Sequence, residues 1–376
     1  MNLGIFLMPL SPPGRTMGQV MDEVTRKALL LDTVGFHEFW LGEHFSATSE
    51  AIPSPLMFMA SLLPQTRNLT FGTGVISLPN RHPAVIGAEV AQFDQMAKGR
   101  FRFGIGTGSL PSDWELFQLE DEPTRRRMML ESLTMMQAIW KQGPPYEFDG
   151  EFWKFAITKN IHPELQMGIL PQPSTPEGPP VHVSASTPNS STAVLAGEQG
   201  WGPLTSSLLT PAGVATHWTG YSKGLARAGR EVTGENWRVV RVVLVAPTDA
   251  EAERRLAHAQ SSVRFYFDYI RQVLARAGKL IALKTRPDMA DADVTVETAM
   301  MPRVIFGSPA TVRDKLIALR DEVGPFGNLL VSGMDWSGQN EEWERESLTL
   351  LGREVWPAVR RHFAQREGAA AAVAAQ

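Results

Sequence analysis

A glutamate and a histidine stand side by side directly after a short apolar segment. Residues 39–41 (Phe-Trp-Leu) are typical of a buried strand, and residues 42–45 read Gly-Glu-His-Phe. An imidazole titrates near neutral pH and can both accept and donate protons, and a neighbouring carboxylate can assist it. Glu43 and His44 therefore form a candidate acid–base site. The alternative is a histidine that only orders the start of a loop.

A run of small hydroxyl and amide side chains follows the fifth predicted strand. Residues 184–192 read Ser-Ala-Ser-Thr-Pro-Asn-Ser-Ser-Thr and lead into a predicted helix. Free backbone amides at a helix N-terminus suit a phosphate group, although the same run can serve as a simple N-cap. The candidate phosphate ligands are Ser186, Asn189, Ser190, Ser191 and Thr192. Residues 307–311 (Gly-Ser-Pro-Ala-Thr) form a second helix start of this kind, so the position of the phosphate site stays open.

Glycines cluster at the ends of the third and fourth predicted strands. Residues 72–76 read Gly-Thr-Gly-Val-Ile, and residues 104–109 read Gly-Ile-Gly-Thr-Gly-Ser. Because glycine permits close backbone approach, a flat cofactor could lie here; tight packing of the chain against itself is the alternative. We expect cofactor contacts from Thr73, Gly74, Val75 and Thr107. The first strand ends at Phe6 and Met8, which either line an apolar pocket or belong to the core.

The elements that must position these residues alternate between short β-rich runs and longer helical patterns. The strands are predicted at residues 3–8, 39–41, 69–76, 101–105, 180–184, 201–205, 238–245 and 328–332. The helices are predicted at residues 18–34, 55–63, 84–96, 125–140, 191–199, 211–228, 250–277, 309–323 and 341–363. Repeated β/α units indicate a parallel sheet, and eight of them favour an α/β fold of the closed (β/α)8 TIM-barrel type with insertions. Such barrels carry their functional residues at the C-terminal ends of the strands.

We expect one barrel domain over residues 1–365. Residues 142–180 are rich in Pro and Gly and read as a long excursion before the fifth strand. Residues 284–298 are polar and poorly periodic, which is typical of a mobile loop. Residues 366–376 form a low-complexity, Ala-rich tail that we expect to fray.

The composition narrows the possible functions. The chain has 376 residues, no cysteine and a net charge of −4, so thiolate chemistry and cysteine-bound metals are excluded, and no basic footprint for nucleic acid is present. We find no ligand set typical of a metal site. No apolar stretch is long enough to span a membrane and no secretory signal is apparent, so we expect a cytoplasmic protein.

Several segments resemble the bacterial-luciferase-like flavin monooxygenases. Residues 69–117 carry the third strand, a Leu-Pro-x-x-His-Pro turn and the segment Asp-Gln-Met-Ala-Lys-Gly-Arg-Phe-Arg-Phe-Gly-Ile. The likeness extends to residues 35–44, to the helix start near Asn189 and to residues 306–309. Within the family, Pro-Gly-Arg at 13–15, Glu43-His44 and residues 189–198 look most like the limonene and diketocamphane monooxygenases.

The resemblance implies a two-component monooxygenase. A separate flavin reductase would supply reduced FMN, which would react with dioxygen to a peroxyflavin that oxygenates a small apolar substrate, such as a ketone or a terpene. By the same resemblance His44 is the catalytic imidazole, Gly74-Val75 is a peptide that is often cis, and Asn189, Ser190 and Thr192 hold the phosphate. Thr107 departs from the family, because luciferase α-subunits have an arginine there.

A peroxyflavin survives only where water is excluded. Phe6, Met8, Trp40 and Trp114 are candidate apolar walls of the substrate pocket, and residues 284–298 are a candidate lid. The family usually forms dimers through the helices after strands two and three, so we expect a homodimer. Two alternatives remain: a deazaflavin-dependent dehydrogenase of the same superfamily, and a non-catalytic flavin-binding subunit.

Overall fold

Eight parallel strands close into a barrel in the computed structural model, which describes the backbone of residues 1–374 and the side chains of residues 1–366. The strands within the described residues are, in order, β1 (Asn2–Leu7), β2 (Glu38–Leu41), β3 (Thr70–Thr73), β4 (Ile76–Ser77), β5 (Phe101–Gly106), β6 (Tyr146–Asp149), β7 (Lys154–Ile157), β8 (Val181–Ala185), β9 (Gly202–Thr205), β10 (Arg238–Val245), β11 (Val304–Gly307) and β12 (Asn328–Ser332).

The helices lie between and around these strands. They are α1 (Met17–Thr33), α2 (Pro55–Leu62), α3 (Pro83–Ala97), α4 (Pro111–Phe117), α5 (Glu122–Lys141), α6 (Ser191–Gln199), α7 (Pro211–Arg227), α8 (Asp249–Ala257), α9 (Ser262–Arg276), α10 (Val296–Met300), α11 (Pro309–Val323), α12 (Asn340–Leu350) and α13 (Trp356–Ala374).

The barrel closes through pairing of its first and last strands. The order around it is β1-β2-β3-β5-β8-β9-β10-β12, every neighbouring pair is parallel, and β12 pairs with β1 with Gly4 opposite Leu330. Each of the eight predicted strands overlaps one of these, so the predicted (β/α)8 barrel is confirmed. The third predicted strand is divided in two, since β4 leaves β3 and pairs with β5 through Ile76 and Ile105.

The interior of the barrel is apolar at its centre and charged at its N-terminal end. Trp40, Leu204, Val240 and Leu330 form a buried cluster inside the strands. Below it Glu38 and Arg238 form a buried ion pair at 2.6 Å, and the indole of Trp40 donates to Glu38 at 2.7 Å. Because their opposite charges are paired, Glu38 and Arg238 can both be buried inside the barrel. They lie away from the C-terminal strand ends, where the functional residues of such barrels are found.

The structure differs from the predicted elements in five places. The helix predicted at 250–277 is two helices, because the chain turns between α8 and α9 at residues 258–261. The excursion at 142–180 contains the antiparallel hairpin of β6 and β7, and β11 was missed; it pairs only with the second half of β10. Helix α4 was also missed. The predicted loop at 284–298 includes the start of α10.

The C-terminal segment continues the last helix. A turn of π-helix at Leu351–Val355 joins α12 to α13, and α13 runs into the Ala-rich end as far as Ala374. Residues 375 and 376 of the predicted tail lie outside the described residues.

Candidate active site

The imidazole of His44 follows β2 and is held from a distant helix. Its Nδ1 lies 3.1 Å from Oδ2 of Asp113, which stands in the first turn of α4. Asp113 also accepts the backbone amides of Phe45 at 3.2 Å and Ser46 at 2.9 Å. Burial would raise the pKa of Asp113, but the hydrogen bonds from His44, Ser46 and Phe45 outweigh it and lower that pKa. Asp113 is therefore a fixed anion that orients the ring.

A second carboxylate lies on the other side of the same ring. Oε2 of Glu50 is 3.5 Å from Nε2 of His44, and the hydroxyl of Tyr269 on α9 donates to Oε1 of Glu50 at 3.2 Å. Burial raises the pKa of Glu50, an effect that His44 and Tyr269 only partly offset. For His44, burial alone would lower the pKa, yet the hydrogen bond to Asp113 and the charge of Glu50 raise it above its ordinary value. The surroundings of the imidazole thus favour its protonated form.

Glu43 does not pair with His44 as the sequence suggested. One of its oxygens accepts the amide of Ser77 at 2.9 Å, and the other accepts a guanidinium nitrogen of Arg81 at 2.8 Å. Burial raises the pKa of Glu43, against the opposing charge of Arg81. Since both oxygens face β4 and the turn after it, Glu43 positions that turn and contributes only its charge to His44.

The glycines after β3 and within β5 make room for the chain itself. The peptide bond between Gly74 and Val75 is cis, as the resemblance implied. A Cβ on Gly74 would lie 2.7 Å from the ring of Phe6, and one on Gly106 would lie 2.5 Å from a methyl of Val75. The hydroxyl of Thr73 bonds both the carbonyl and the amide of Gly104, at 2.7 and 2.8 Å. Thr73 is buried and its hydroxyl is bonded within the barrel, so it offers no free polar group to a cofactor.

The four predicted pocket residues lie in three different places. Phe6 is half-buried and, with Val75, packs on the barrel-interior cluster from the C-terminal side, while Met8 lies against Gly42. Trp40 belongs to the cluster beneath them and is fully buried, so it is a core residue and not a pocket wall. Trp114 lies beyond the end of β5, where its ring is flanked by Arg125 and Lys279 at 4.2 and 4.5 Å from the ring centroid.

The helix start after β8 retains the features of an anion site. Asn189 has a left-handed backbone, and the Ser190 hydroxyl caps the amide of Thr192 at 3.2 Å. Arg126 on α5 donates to the hydroxyl of Ser191 at 2.8 Å, which brings a guanidinium to this helix start. Ser186 precedes it on an exposed position. Thr107 is half-buried at the end of β5 and supplies no charge.

At the other candidate helix start, before α11, a carboxylate of the protein already accepts the free donors. Asp249 accepts the amide of Ser308 at 2.6 Å and the hydroxyl of Thr311 at 3.0 Å. A carboxylate there satisfies the helix terminus and would repel a phosphate. The geometry therefore favours the start of α6.

Four polar residues of the site carried no clear sequence signal. Asp113 sits in a helix that was not predicted, Glu50 lies in a loop, and Arg126 and Tyr269 occur in helical runs with many charged or aromatic neighbours. A partial signal existed for Asp113, because the Pro-Ser-Asp sequence that begins α4 closely follows a glycine-rich strand end. The other three are recognised only through the contacts that the fold creates.

A cavity of about 440 Å³ lies at the turn between α8 and α9 and the loop after β12. None of the four predicted pocket residues lines it; its walls include Pro12, Ser261, Phe265, Asp335, Gln339 and Asn340. Among the side chains that the structure describes, those of residues 1–366, we find no cluster of three or more His, Asp or Glu placed to hold a metal ion. Within residues 1–374, every helix is too short or too polar to cross a bilayer.

The fold is a closed (β/α)8 barrel, and a half-buried imidazole and a helix start rich in hydroxyl side chains lie at the same end of it. Residues 1–324 match the family model of the luciferase-like monooxygenases. The chain belongs to this family, which confirms the predicted family and the predicted class of enzyme, a monooxygenase.

Individual relatives support the same grouping. The chain is 27% identical to 3,6-diketocamphane 1,6-monooxygenase of Pseudomonas putida, over 96% of this chain and 98% of that one. It is 27% identical to limonene 1,2-monooxygenase of Rhodococcus erythropolis, over 87% of this chain and 78% of that one. The structure of the oxygenating constituent of 3,6-diketocamphane monooxygenase from Pseudomonas putida, a type II Baeyer–Villiger monooxygenase in complex with FMN, superposes with a TM-score of 0.85 at 27% identity, covering 95% of this chain and 98% of that chain.

Proposed function

We propose that this protein is the oxygenase component of a two-component monooxygenase that uses reduced FMN and dioxygen to oxygenate a small apolar organic molecule. The observation that carries the proposal is the placement of His44, fixed by Asp113, at the same end of the barrel as the phosphate-suited start of α6. The similarity to an FMN-bound relative over 95% of the chain agrees with it.

The residues at the strand ends fit FMN. The amides and hydroxyls at the start of α6 would hold the phosphate, and the guanidinium of Arg126 would replace the charge that Thr107 lacks. The apolar surface formed by Phe6 and Val75 suits a flat ring. When bound, reduced FMN supplies the two electrons that activate dioxygen.

In this proposal the chain's own side chains hold a proton near the substrate and exclude water. His44 holds a proton in the pH range where the imidazole would normally begin to lose it, because Asp113 fixes its Nδ1 and the nearby carboxylates favour the cation. The barrel-interior cluster beneath Phe6 is sealed from solvent. A proton donor beside a dry apolar surface is the environment that oxygen transfer requires.

The substrate class follows from that surface. Phe6, Val75 and Met8 are apolar, so they favour a small apolar substrate, and we propose a cyclic ketone or a terpene. Two similar proteins are named for diketocamphane and limonene, which are compact and mostly apolar molecules.

The proposed partners are a flavin reductase and a second copy of the chain. A similar structure is that of the oxygenating constituent of a monooxygenase, which agrees with a separate protein that supplies reduced flavin. We propose that this chain and the reductase both lie in the cytoplasm. For the homodimer, α2 and α3 present exposed apolar side chains on one side of the barrel, with Met57 77% and Val85 56% exposed. Burial of such side chains against a second copy would stabilise a dimer.

Anaerobic titration tests the cofactor. We expect reduced FMN to bind and a reduced deazaflavin cofactor not to compete with it. Tight deazaflavin binding without FMN binding would instead indicate the dehydrogenase alternative. Binding of reduced FMN that, after dioxygen is admitted, gives no oxygenated product from any ketone or terpene would indicate the non-catalytic alternative.

A further inference from the structure

A continuous line of polar groups leads away from His44 on the side opposite Asp113. Nε2 of His44 faces Oε2 of Glu50 at 3.5 Å, and Oε1 of Glu50 accepts the hydroxyl of Tyr269 at 3.2 Å. The Tyr269 hydroxyl also lies 3.2 Å from Oγ of Ser49. Glu50 is 6% exposed, whereas Tyr269 and Ser49 are half-buried. The line therefore runs from the half-buried imidazole, through the buried carboxyl group of Glu50, towards the surface at the mouth of the barrel.

The two carboxylates beside His44 differ in how firmly they are held. Asp113 accepts four donors from Phe45, Ser46 and His44 and is kept as an anion. Glu50 accepts only from Tyr269 at hydrogen-bonding distance, and its contact with His44 is longer. Burial favours the neutral form of Glu50. A carboxyl group that can exist in both forms can pass a proton, whereas a fixed anion only orients its partner.

The proposed reaction needs such a group. When reduced FMN enters as its monoanion, each turnover takes up one dioxygen molecule and one proton, delivers one oxygen atom to the substrate and releases the other as water. The proton comes from solvent, but a site that excludes water cannot admit it freely. An internal route has to connect the two.

We propose that Glu50 and Tyr269 form the route by which a solvent proton reaches Nε2 of His44. This inference rests on the proposed function. The Tyr269 hydroxyl passes its proton to Oε1 of Glu50 and regains one from the solvent side, next to Ser49. Glu50 then releases the proton from its carboxyl group to Nε2 of His44, and it returns to the carboxylate form. No electrons move in these steps, and Asp113 keeps Nδ1 protonated throughout.

The charged and titratable groups around this route are few. His44 is faced by Asp113 from α4, by Glu50 from its own loop and by the charge of Glu43, whose partner is Arg81. Glu50 is faced by His44, by the charge of Asp113, and by Tyr269 and Tyr266 of α9. Tyr266 bonds Ser207 at 3.1 Å, not Glu50, so it offers a matched control hydroxyl on the same helix.

Proton exchange at His44 tests the route without flavin. In flavin-free protein labelled with 15N-histidine, magnetisation transfer from water measures how fast the Nε2 proton exchanges, with His44→Gln assigning the signal. We expect Tyr269→Phe and Glu50→Gln each to slow exchange by about tenfold or more, the scale on which proton transfer by a positioned side chain acts. Tyr266→Phe should leave the rate unchanged, and Glu50→Asp should recover part of it.

The outcomes separate this inference from the proposed function. Unchanged exchange in Tyr269→Phe, or equal slowing in Tyr266→Phe, would overturn the route whether or not FMN binds. If Glu50→Gln does not fold, Tyr269→Phe decides alone, because it retains the ring. Where FMN binds, single-turnover product formation in Tyr269→Phe should show a larger solvent deuterium isotope effect than in wild type; an unchanged effect would show that the route does not serve the reaction.

Discussion

Asp113 accepts a hydrogen bond from Nδ1 of His44 at 3.1 Å although 69 positions separate the two residues in the chain. The contact exists because β2 and β5 end at the same rim of the barrel. His44 comes just after the first of these strands, and α4 carries Asp113 back from the second. One orienting anion thus fixes the tautomer of the imidazole and leaves Nε2 as the nitrogen that can act.

Replacing Asp113 by Asn should lower the pKa of His44. The variant removes both a hydrogen bond and a negative charge that favour the imidazolium form. Because the pKa of His44 is raised in the folded protein, its contribution to stability is present below about pH 6.5, the unfolded-state value, and is lost as the pH rises through the folded-state pKa. NMR titration of the His44 ring should show the midpoint at lower pH in the variant. Asp121→Asn, a cap on α5, is the control; a midpoint shifted equally in both would contradict the assignment.

Replacing Arg126 by Met should weaken the binding of FMN. The loss of one charge-assisted hydrogen bond to phosphate corresponds to a rise in Kd of about tenfold or more. Fluorescence titration with FMN and with riboflavin, which lacks the phosphate, separates the effect: only FMN should lose affinity. Arg127→Met removes a neighbouring exposed arginine that pairs with Glu151. This control variant should change the affinity for neither FMN nor riboflavin. If Arg126→Met binds FMN as the wild type does, another group holds the phosphate.

Replacing Asp249 by Ala distinguishes the two helix starts that the sequence left open. Asp249 satisfies the amide of Ser308, so the variant should lower Tm by exposing the N-terminus of α11. FMN affinity should stay the same, because the phosphate is proposed to bind at α6. A marked change in FMN affinity would place the phosphate at Ser308 after all.

The sequence predicted the barrel better than it predicted the site. The barrel strands are short apolar runs bounded by turn residues, and burial on both faces makes them recognisable. β11 was not predicted, because it is a short strand that pairs only with the second half of β10, outside the closed barrel. The break between α8 and α9 contains neither Gly nor Pro, so the helical pattern seemed continuous in the sequence.

Only part of the candidate site could be predicted from the sequence, and the reason is physical. His44 and the start of α6 carry local signals, namely a residue type with useful chemistry and a helix cap. Asp113, Glu50 and Tyr269 become functional candidates only through contacts between distant segments. Trp40 was predicted to line the pocket, but its side chain points into the barrel and bonds Glu38. The sequence does not show which way an aromatic side chain near a strand end points.

Replacing Arg303 by Met should loosen the segment that was predicted to act as a lid. Arg303 is buried, and its guanidinium donates to the carbonyls of Ala282 at 3.3 Å and Ala299 at 2.8 Å, which bracket residues 284–298. Without these bonds we expect trypsin to cut faster after Lys284. Arg313→Met, which removes an exposed arginine from α11, is the control. An unchanged cleavage rate in Arg303→Met would show that the segment is held by other contacts.

Oxygen-isotope incorporation tests the central claim most directly. The protein is mixed anaerobically with reduced FMN and a panel of cyclic ketones and terpenes, exposed to 18O2, and the products are analysed by mass spectrometry. We predict a product that carries one atom of 18O, formed in proportion to the reduced FMN consumed, and a large loss of that product in His44→Gln. Oxidation of the bound FMN with no labelled product from any substrate, or labelled product formed equally well by His44→Gln, would contradict the account.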